Sequence, residues 1–571
     1  MAQRSRRRRV APKREVFGQW AEEEGVTVTA LLGFLLYLEN WNQDKTMSAV
    51  GWKIFMKEEE VTGTPRVSIE EAIWLLERSF MSQAVYLELR LRFKGRIIFP
   101  AVMNIRAENK LHRPSLVEYK HGVKAQVMEC LALTLTERIQ LLNLTGLNKA
   151  SIQVFFEMSW GLDGSGEHAN YHQLEKVSYN TSAVMSVCFA LREVSVGDGS
   201  SEMVVWSSTA EGANKPQNTR PLALFPSQES KELLAEFIPV VEAEIKAVEE
   251  FGVEVETEDQ GSKTVARCEK CIMSMVDGKM VTNLLNLGGA FCTMCVKTQQ
   301  DCQNPDVIQA GFVIERDVRG IKDLALSLMD EDSGEIKKKK GDYSGRQGVC
   351  GVPITESDLT KVIPVCHSKI RSFQWVDDLV VRDRSHKKWP STTNPVRYTK
   401  EEVEAYKRAW EEVKEEVYKN LAINIGNPSD MVTGKSFVKF ASDSSRAFFV
   451  SLVDESVRED FNMILLGLCA TVKVLNSQKR RVNVEKLRDL TQEVNMRIAT
   501  TFPWAAISPS VHRILAHSWE VIEMNEGFGL GNLSEEGLES LNKQIRHFRE
   551  HGARKDLTSN NFTVRLFYFG R

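Results

Sequence analysis

Residues 151–166 read SIQVFFEMSWGLDGSG. The run is apolar, β-branched and aromatic, and it predicts a strand that leads into a Gly-rich turn. An acid, Asp163, stands at its end. The arrangement recurs at 270–280, KCIMSMVDGKM, where a short apolar run stops at Asp277. A third acid, Glu539, lies in LSEEGLESLNKQIRHFREHG (533–552), which reads as a helix. Two strand-end aspartates and a helical glutamate can hold two Mg²⁺ ions around an in-line attack on phosphate. Spacing alone does not select these three, because the chain has 77 acidic residues. Asp before Gly is also a common turn residue, which is the plain reading of Asp163 and Asp277.

Three carboxylates at one point would raise one another's pKa values unless a cation removed the repulsion. Mg²⁺ or Mn²⁺ is the natural candidate. On the last helix Glu539, Asn542 and Arg546 fall at i, i+3 and i+7 and share a face. Leu538, Leu541, Ile545 and Phe548 share another, suited to anchoring the helix on a sheet. Ser534 is a good N-cap and Gly552 a good C′ residue. Glu167, Glu535 and Glu536 compete with the chosen acids and read as helix-start or surface charges.

Between these acids the period of the sequence changes twice. Candidate strands are 152–156, 183–191 and 203–207. A helix is expected at Lys231–Phe251, with Leu233, Phe237, Val240, Val241 and Ile245 on one side. A further strand, 271–276, ends at Asp277. Three strands, a helix and a fourth strand fit an RNase H-like core, with the first aspartate on strand one and the second at the end of strand four. Upstream, 15–95 reads as mostly helical, and 96–150 mixes a short strand (96–99) with a helix (124–142). Downstream, 330–348 reads as a charged loop whose lysines 337–340 are most simply solvated. Residues 399–421 read as a helix, with Thr399 and Glu402 as a capping box and Val403, Tyr406, Trp410, Val413 and Val417 as its stripe. Residues 460–500 also look helical, and no internal repeat is visible.

The ten cysteines offer two zinc readings. Cys268-x2-Cys271 and Cys292-x2-Cys295 have the spacing of a four-cysteine ribbon. Alternatively Cys268 and Cys271 are small buried residues on the approach to a strand, and Cys292 and Cys295 find other partners.

The segment from Phe502 to Lys555 closely resembles the end of the Transib transposases and, more distantly, the catalytic subunit of the V(D)J (RAG) recombinase. The residues that carry this are Pro503-Trp504, Pro509-Ser510-Val511-His512 with His517, Ser534-Glu535-Glu536, Glu539 with Asn542-Lys543, and Phe548-Arg549. Upstream, Leu162-Asp163-Gly164 and Val276-Asp277-Gly278-Lys279 resemble the family's two aspartate turns, and Cys292-Thr293-Met294-Cys295 its zinc dithiol. His367, in CHSKIRSF, also resembles a family position. With gaps, the resemblance spans about Met81 to Lys555. It implies that Asp163, Asp277 and Glu539 bind catalytic Mg²⁺ or Mn²⁺. It further implies one structural Zn²⁺ held by Cys292, Cys295, His512 and His517, a set chemically ordinary for that ion. Such a site would tie the two ends of a helical insertion together and bring Glu539 back to the aspartates. A ribbon would instead bend the strand that presents Asp277.

The expected class is therefore α+β: an RNase H-like catalytic core carrying a large, mainly helical, zinc-stapled insertion, preceded by an N-terminal helical region for DNA binding or dimerisation. Expected boundaries are a basic tail 1–14, the helical region 15–95, a pre-core region 96–150, the core 151–290, the insertion 291–525, the catalytic helix 526–555 and a tail 556–571. The resemblance implies a transposase that binds terminal inverted repeats as a homodimer. It would nick DNA, form a hairpin by transesterification and join element ends to target DNA, in the nucleus and with a possible accessory subunit. No RING-type zinc module or ubiquitin ligase activity is expected. The segment MVTGKSFVKFASDSSRAFF (431–449) replaces the family's Gly- and Thr-rich run before Arg-x-Phe-Phe. Two rivals remain: a domesticated, non-catalytic DNA-binding protein that keeps the fold, and a zinc-ribbon adaptor.

Composition fits without deciding. A chain of 571 residues exceeds one core. The longest apolar stretch, 26–38, is too short to span a bilayer, and no signal peptide is visible. Unevenly spaced cysteines look reduced, some metal-bound. The net charge of −3 is not that of a general nucleic-acid coat protein, so DNA binding requires local basic patches, among them Arg4 and Arg6 to Arg9 in the tail.

Overall fold

The computed structural model describes most of residues 114–551. Gaps fall at 120–121, 142–152, 166–183, 198–201, 209–217, 226–228, 257–262, 289–290, 299, 331–335, 337–345, 385–399, 422–433 and 479; before 114 only Leu87, Leu91, Pro100, Ala101 and Asn104 are described. The basic tail, nearly all of 15–95, the strand expected at 96–99, Glu167, lysines 337–340, Thr399 and Gly552 lie outside the described residues. So do the side chains of Val403, Tyr406, Arg546 and Phe548. The chain separates into two compact units, Met1–Leu111 and His112–Arg571, and the sheet and helices named below belong to the second.

The class is α+β, and its centre is one mixed sheet. In chain order the strands are β1 (Leu116–Tyr119), β2 (Gly122–Ala125), β3 (Gln153–Ser165), β4 (Val184–Gly197), β5 (Glu202–Ser207), β6 (Thr219–Phe225), β7 (Val253–Glu256) and β8 (Lys263–Val276). They lie in the order β1-β2-β6-β4-β3-β8-β7, with β5 also paired to β4. Helix α1 (Val127–Leu141) precedes β3, and α2 (Lys231–Phe251) connects β6 to β7.

Strand β4 is buried without a break from Val184 to Arg192. A continuous apolar run covered on both faces belongs in the middle of a sheet, and there it sits. In β3 the alternate residues Val154, Phe156, Met158, Trp160 and Leu162 all point into the core. Gly161 has a specific reason: a Cβ there would lie 2.1 Å from the Met275 carbonyl oxygen, where the β3–β8 register shifts. Ser230 caps α2 by accepting from the Leu233 N–H. The helix buries Leu234, Phe237, Ile238, Val241, Ile245 and Val248. The stripe is thus rotated from the expected one, and Val240 is exposed.

The sequence reading missed four strands. β6 (TRPLALF) contains a proline, and β1, β2 and β7 have four residues each. Several elements also start or end elsewhere: β8 begins at Lys263 and β4 runs on to Gly197. The helix expected from 124 starts at Val127, because 122–125 pairs as β2, and β3 continues through Asp163 to Ser165 instead of turning there.

After β8 the chain turns helical. The elements are α3 (Gly278–Leu284), α4 (Pro305–Ala310), α5 (Val318–Leu328), α6 (Val365–Arg384), α7 (Lys400–Leu421), α8 (Gly434–Phe440), α9 (Asp443–Leu452), α10 (Arg458–Leu475), α11 (Val484–Thr501), α12 (Pro509–Met524) and α13 (Glu536–His551). Two cores result. One holds the sheet, α1, α2, α3 and α5. The other holds α4 and α6 to α12, with Cys292, Cys295 and Cys302 at its edge. The final helix returns to the first core, where Leu538, Leu541 and Ile545 are buried. The helical region is therefore an insertion with its own interior, spliced between β8 and the helix that packs on β3 and β6.

Candidate active site

Strand pairing sets the site. β3 and β8 are parallel, and Leu162 lies opposite Val276. Their next residues, Asp163 and Asp277, therefore emerge side by side at the carboxyl ends of two neighbouring strands. Asp277 caps α3, its Oδ1 accepting from the Met280 N–H at 2.5 Å. Helix α13 brings Glu539 over the same end.

Asn542, one turn after Glu539, fastens α13 to β3. Its Nδ2 donates to Asp163 Oδ2 at 2.8 Å, and its Oδ1 accepts from the Ser186 hydroxyl at 2.6 Å. Ser186 stands directly across β4 from Asp163. Burial, then the negative charges of Asp277 and Glu539, push the Asp163 carboxyl up to about 8, while His367 pulls the other way. A carboxyl held protonated by its neighbours is what a cation site looks like without its cation.

The sequence reading placed Glu535 and Glu536 as helix-start or surface charges. Glu535 does stand at the start of α13, but it is not a surface charge, being only 2% exposed. Its Oε1 accepts from both the backbone N–H and Nδ1 of His367, at 3.0 and 3.1 Å, and its Oε2 is buried without a hydrogen-bond partner. Glu536 pairs with Lys369. Helix α6, more than 160 residues earlier in the chain, thus clamps the start of α13 through both acids. His367 also lies 3.9 Å from Glu539 Oε1. Burial alone would lower its pKa, but Glu535, Asp277 and Glu539 outweigh it and raise the imidazole to about 9. A cationic imidazole therefore sits among the carboxylates. Glu229 adds a fourth acid at the edge: it crowds Gly164 and pairs with Lys279.

Cys292, Cys295, His512 and His517 converge in the second core, all buried, with ligand atoms within 4.8 Å of one another. A tetrahedral ion with Zn–S near 2.3 Å and Zn–N near 2.0 Å needs ligand atoms roughly 3.5 Å apart. Cys295 Sγ is 3.3 Å from His512 Nε2. His517 Nδ1 faces Glu520 at 3.0 Å, while the other side of its buried ring meets the Cys292 thiol. That is the posture of an imidazole fixed by a carboxylate and turned toward a metal. His512 Nδ1 faces the Cys302 thiol at 3.2 Å. Burial alone would raise the Cys292 thiol, but hydrogen bonds with Cys295, His512 and His517 and the charge of His512 outweigh it and hold it well below its ordinary range. A thiolate with two imidazoles fits zinc. Among the described residues this is the group of metal-ligating side chains that closes onto one point. Cys268 and Cys271 lie instead on β8 against the sheet core. The bulge at Glu269 puts both on one face, opposite Phe156 and Met158, and they hydrogen-bond each other.

Residues 158–290 match the family model described as the Recombination-activation protein 1 (RAG1) RNase H domain. That stretch of the chain is similar to the RAG1 RNase H domain. The matched segment begins within β3, contains Asp163 and Asp277, and ends just before the Cys-x2-Cys loop. The matched segment therefore supplies two of the three acids, and the third arrives from beyond it on α13. No curated protein sequence matches the chain. Along 94% of its length it aligns with 95% of a chain from "Drosophila P element transposase strand transfer complex", at 10% identity and a TM-score of 0.36, a likeness too slight to bear on function.

Sequence reasoning missed Asn542 as a partner of Asp163, the Glu535–His367 pair, and Glu520 and Cys302 behind the two histidines. The sequence held two hints: Asn542 shares a helix face with Glu539, and a glutamate follows His517 by three residues, since i and i+3 share a helix face.

Proposed function

We propose that the chain is a metal-dependent DNA transposase or recombinase whose catalytic acids are Asp163, Asp277 and Glu539. The observation that carries the reading is the parallel register of β3 and β8, which sets the two aspartates side by side beneath α13. The three acids approach from a strand, a helix cap and a helix, close enough for Asp277 and Glu539 to act on Asp163, and two ions about 3.5–4 Å apart could be shared among them. Mg²⁺ or Mn²⁺, when bound, supplies Lewis acidity to the phosphate and activates the attacking hydroxyl.

The chain's own residues do the rest. Asn542, itself held by Ser186, fixes the Asp163 carboxylate, and the Met280 N–H fixes that of Asp277. Protonated His367, anchored by Glu535, offers positive charge to a phosphate oxygen. Buried Leu538, Leu541 and Ile545 hold Glu539's helix on the sheet. Catalysis is positioning and electrostatics, with no covalent enzyme intermediate. Zn²⁺ at Cys292, Cys295, His512 and His517 would staple the end of the matched domain to α12, and so return α13 to the site.

The substrate in this reading is double-stranded DNA: terminal inverted repeats first, target DNA afterwards. A homodimer would pair the ends, each protomer nicking one and then using the freed 3′-hydroxyl to form a hairpin on flanking DNA. In this reading the protein acts on chromosomal DNA in the nucleus, with or without an accessory subunit. The domain organisation given by the sequence is kept as part of this proposal. The test is incubation of end-labelled inverted-repeat duplex, taken from the flanks of the gene, with Mg²⁺ or Mn²⁺. Cleavage at the repeat boundary supports the enzyme. Binding without cleavage favours a domesticated binder, and neither activity favours an adaptor.

A further inference from the structure

Arg513 is a buried cation that neither metal site uses as a ligand. It follows His512 on α12, and only 4% of it is exposed. One terminal nitrogen donates to the Thr293 hydroxyl at 3.3 Å, inside the Cys292-x2-Cys295 loop, and the other to Ser510 at 3.4 Å. That second nitrogen also sits 2.9 Å from where a Cβ on Gly278 would stand. Gly278 has no positive φ to explain it, so its lack of a side chain makes room for the guanidinium. Gly278 is the residue after Asp277 and the first of α3. Arg513 thus spans from the Cys2His2 loop to the turn that presents Asp277, within electrostatic reach of both Cys292 and Asp277. A guanidinium taken this far from water needs counter-charge, and those two groups supply it.

We propose that Arg513 is the positioning residue through which the Cys2His2 site sets the Asp277 carboxylate for metal binding. The side chain is braced by the zinc loop on one side and presses on the helix cap on the other. Losing it would leave the zinc ligands in place but let the Asp277 turn relax. The proposal rests on the reading of Asp277 as a catalytic metal ligand, and the test separates the two.

The variants are Arg513→Met, Arg513→Lys and Gly278→Ala in the full chain, with Asp277→Asn as reference. Zinc content is measured by elemental analysis and Mn²⁺ affinity by calorimetry without DNA. Arg513→Met should keep its zinc and lose Mn²⁺ affinity by about 10- to 100-fold, the usual cost of removing a group that orients a ligand. Arg513→Lys keeps the charge but not the fork and should recover part of the loss. Gly278→Ala should reproduce the defect by displacing the guanidinium. Combined with Arg513→Met it should add little, because the two changes act on one contact. Unchanged Mn²⁺ affinity in zinc-loaded Arg513→Met and Gly278→Ala overturns the proposal. So does loss of zinc in Arg513→Met, or additive defects in the double variant. Wild-type Mn²⁺ affinity in Asp277→Asn would instead refute the catalytic reading itself.

Discussion

Replacing Asn542 by Ala should separate the position of the catalytic helix from the position of the carboxylate it serves. The change removes a hydrogen bond to Asp163 and another from Ser186, at 2.8 and 2.6 Å. A bond to an ionised carboxylate is worth roughly 1.5–3 kcal/mol and a neutral one about 1, so the local loss is about 2–4 kcal/mol. Ser186 is not orphaned, because its hydroxyl also reaches the Asp163 carbonyl at 3.3 Å. Against this, α13 keeps Leu538, Leu541 and Ile545, all buried to within 1%. At roughly 1.5–3 kcal/mol each, those side chains contribute ~5–9 kcal/mol. Packing therefore wins: the helix stays docked and Asp163 is freed. The expected result is an unchanged limited-proteolysis pattern around 536–551 with strand cleavage about 10- to 100-fold slower. Near wild-type cleavage would refute the assigned role of Asn542. Release of the helix to protease would refute the claim that its apolar stripe holds it.

Three further outcomes are expected. His512→Ala should lower zinc content and solubility together, since losing a structural ligand commonly unfolds its module; full zinc occupancy, with loss only in Cys268→Ser, would restore the ribbon. In the metal-free protein Asp163 has a folded pKa raised to about 8, from an ordinary value of 3.8. Its contribution to stability is present below the lower value and fades as pH rises through the upper one. Thermal stabilisation by Mg²⁺ should therefore grow from pH 6 to about 8, because binding must displace that proton; a pH-independent Mg²⁺ shift contradicts this. Denaturing electrophoresis of end-labelled substrate should show a nick that converts in time to a covalently closed fold-back, and linear ends alone would exclude the hairpin step.

Local chemistry was legible in the sequence where it is local in the chain. The apolar runs before Asp163 and Asp277 mark β3 and β8, and Lys231 to Phe251 announces α2 by its period. The cysteine spacing left two zinc sets open, and it is the return of α12 that brings His512 and His517 to Cys292 and Cys295. What stayed hidden depends on distant segments meeting. Glu535 looks like an ordinary helix-start charge until α6 packs against it and buries it on His367. β6 carries Pro221 and lacks alternation because all seven of its residues are buried, so neither periodicity nor propensity marks it. Gly278 reads as a turn glycine, yet its reason is an arginine 235 residues away in sequence (513 − 278 = 235).

The central claim is that Asp163, Asp277 and Glu539 form one metal-dependent nuclease site on DNA. Glu539 tests it best, because it comes from outside the matched RNase H domain and reaches the aspartates only if the insertion folds back as described. The measurement is Mg²⁺-dependent cleavage of end-labelled inverted-repeat duplex by Glu539→Gln, with DNA binding followed in parallel by gel shift in Ca²⁺. The account predicts wild-type binding and no detectable nick or hairpin. Cleavage at near the wild-type rate by Glu539→Gln would contradict it.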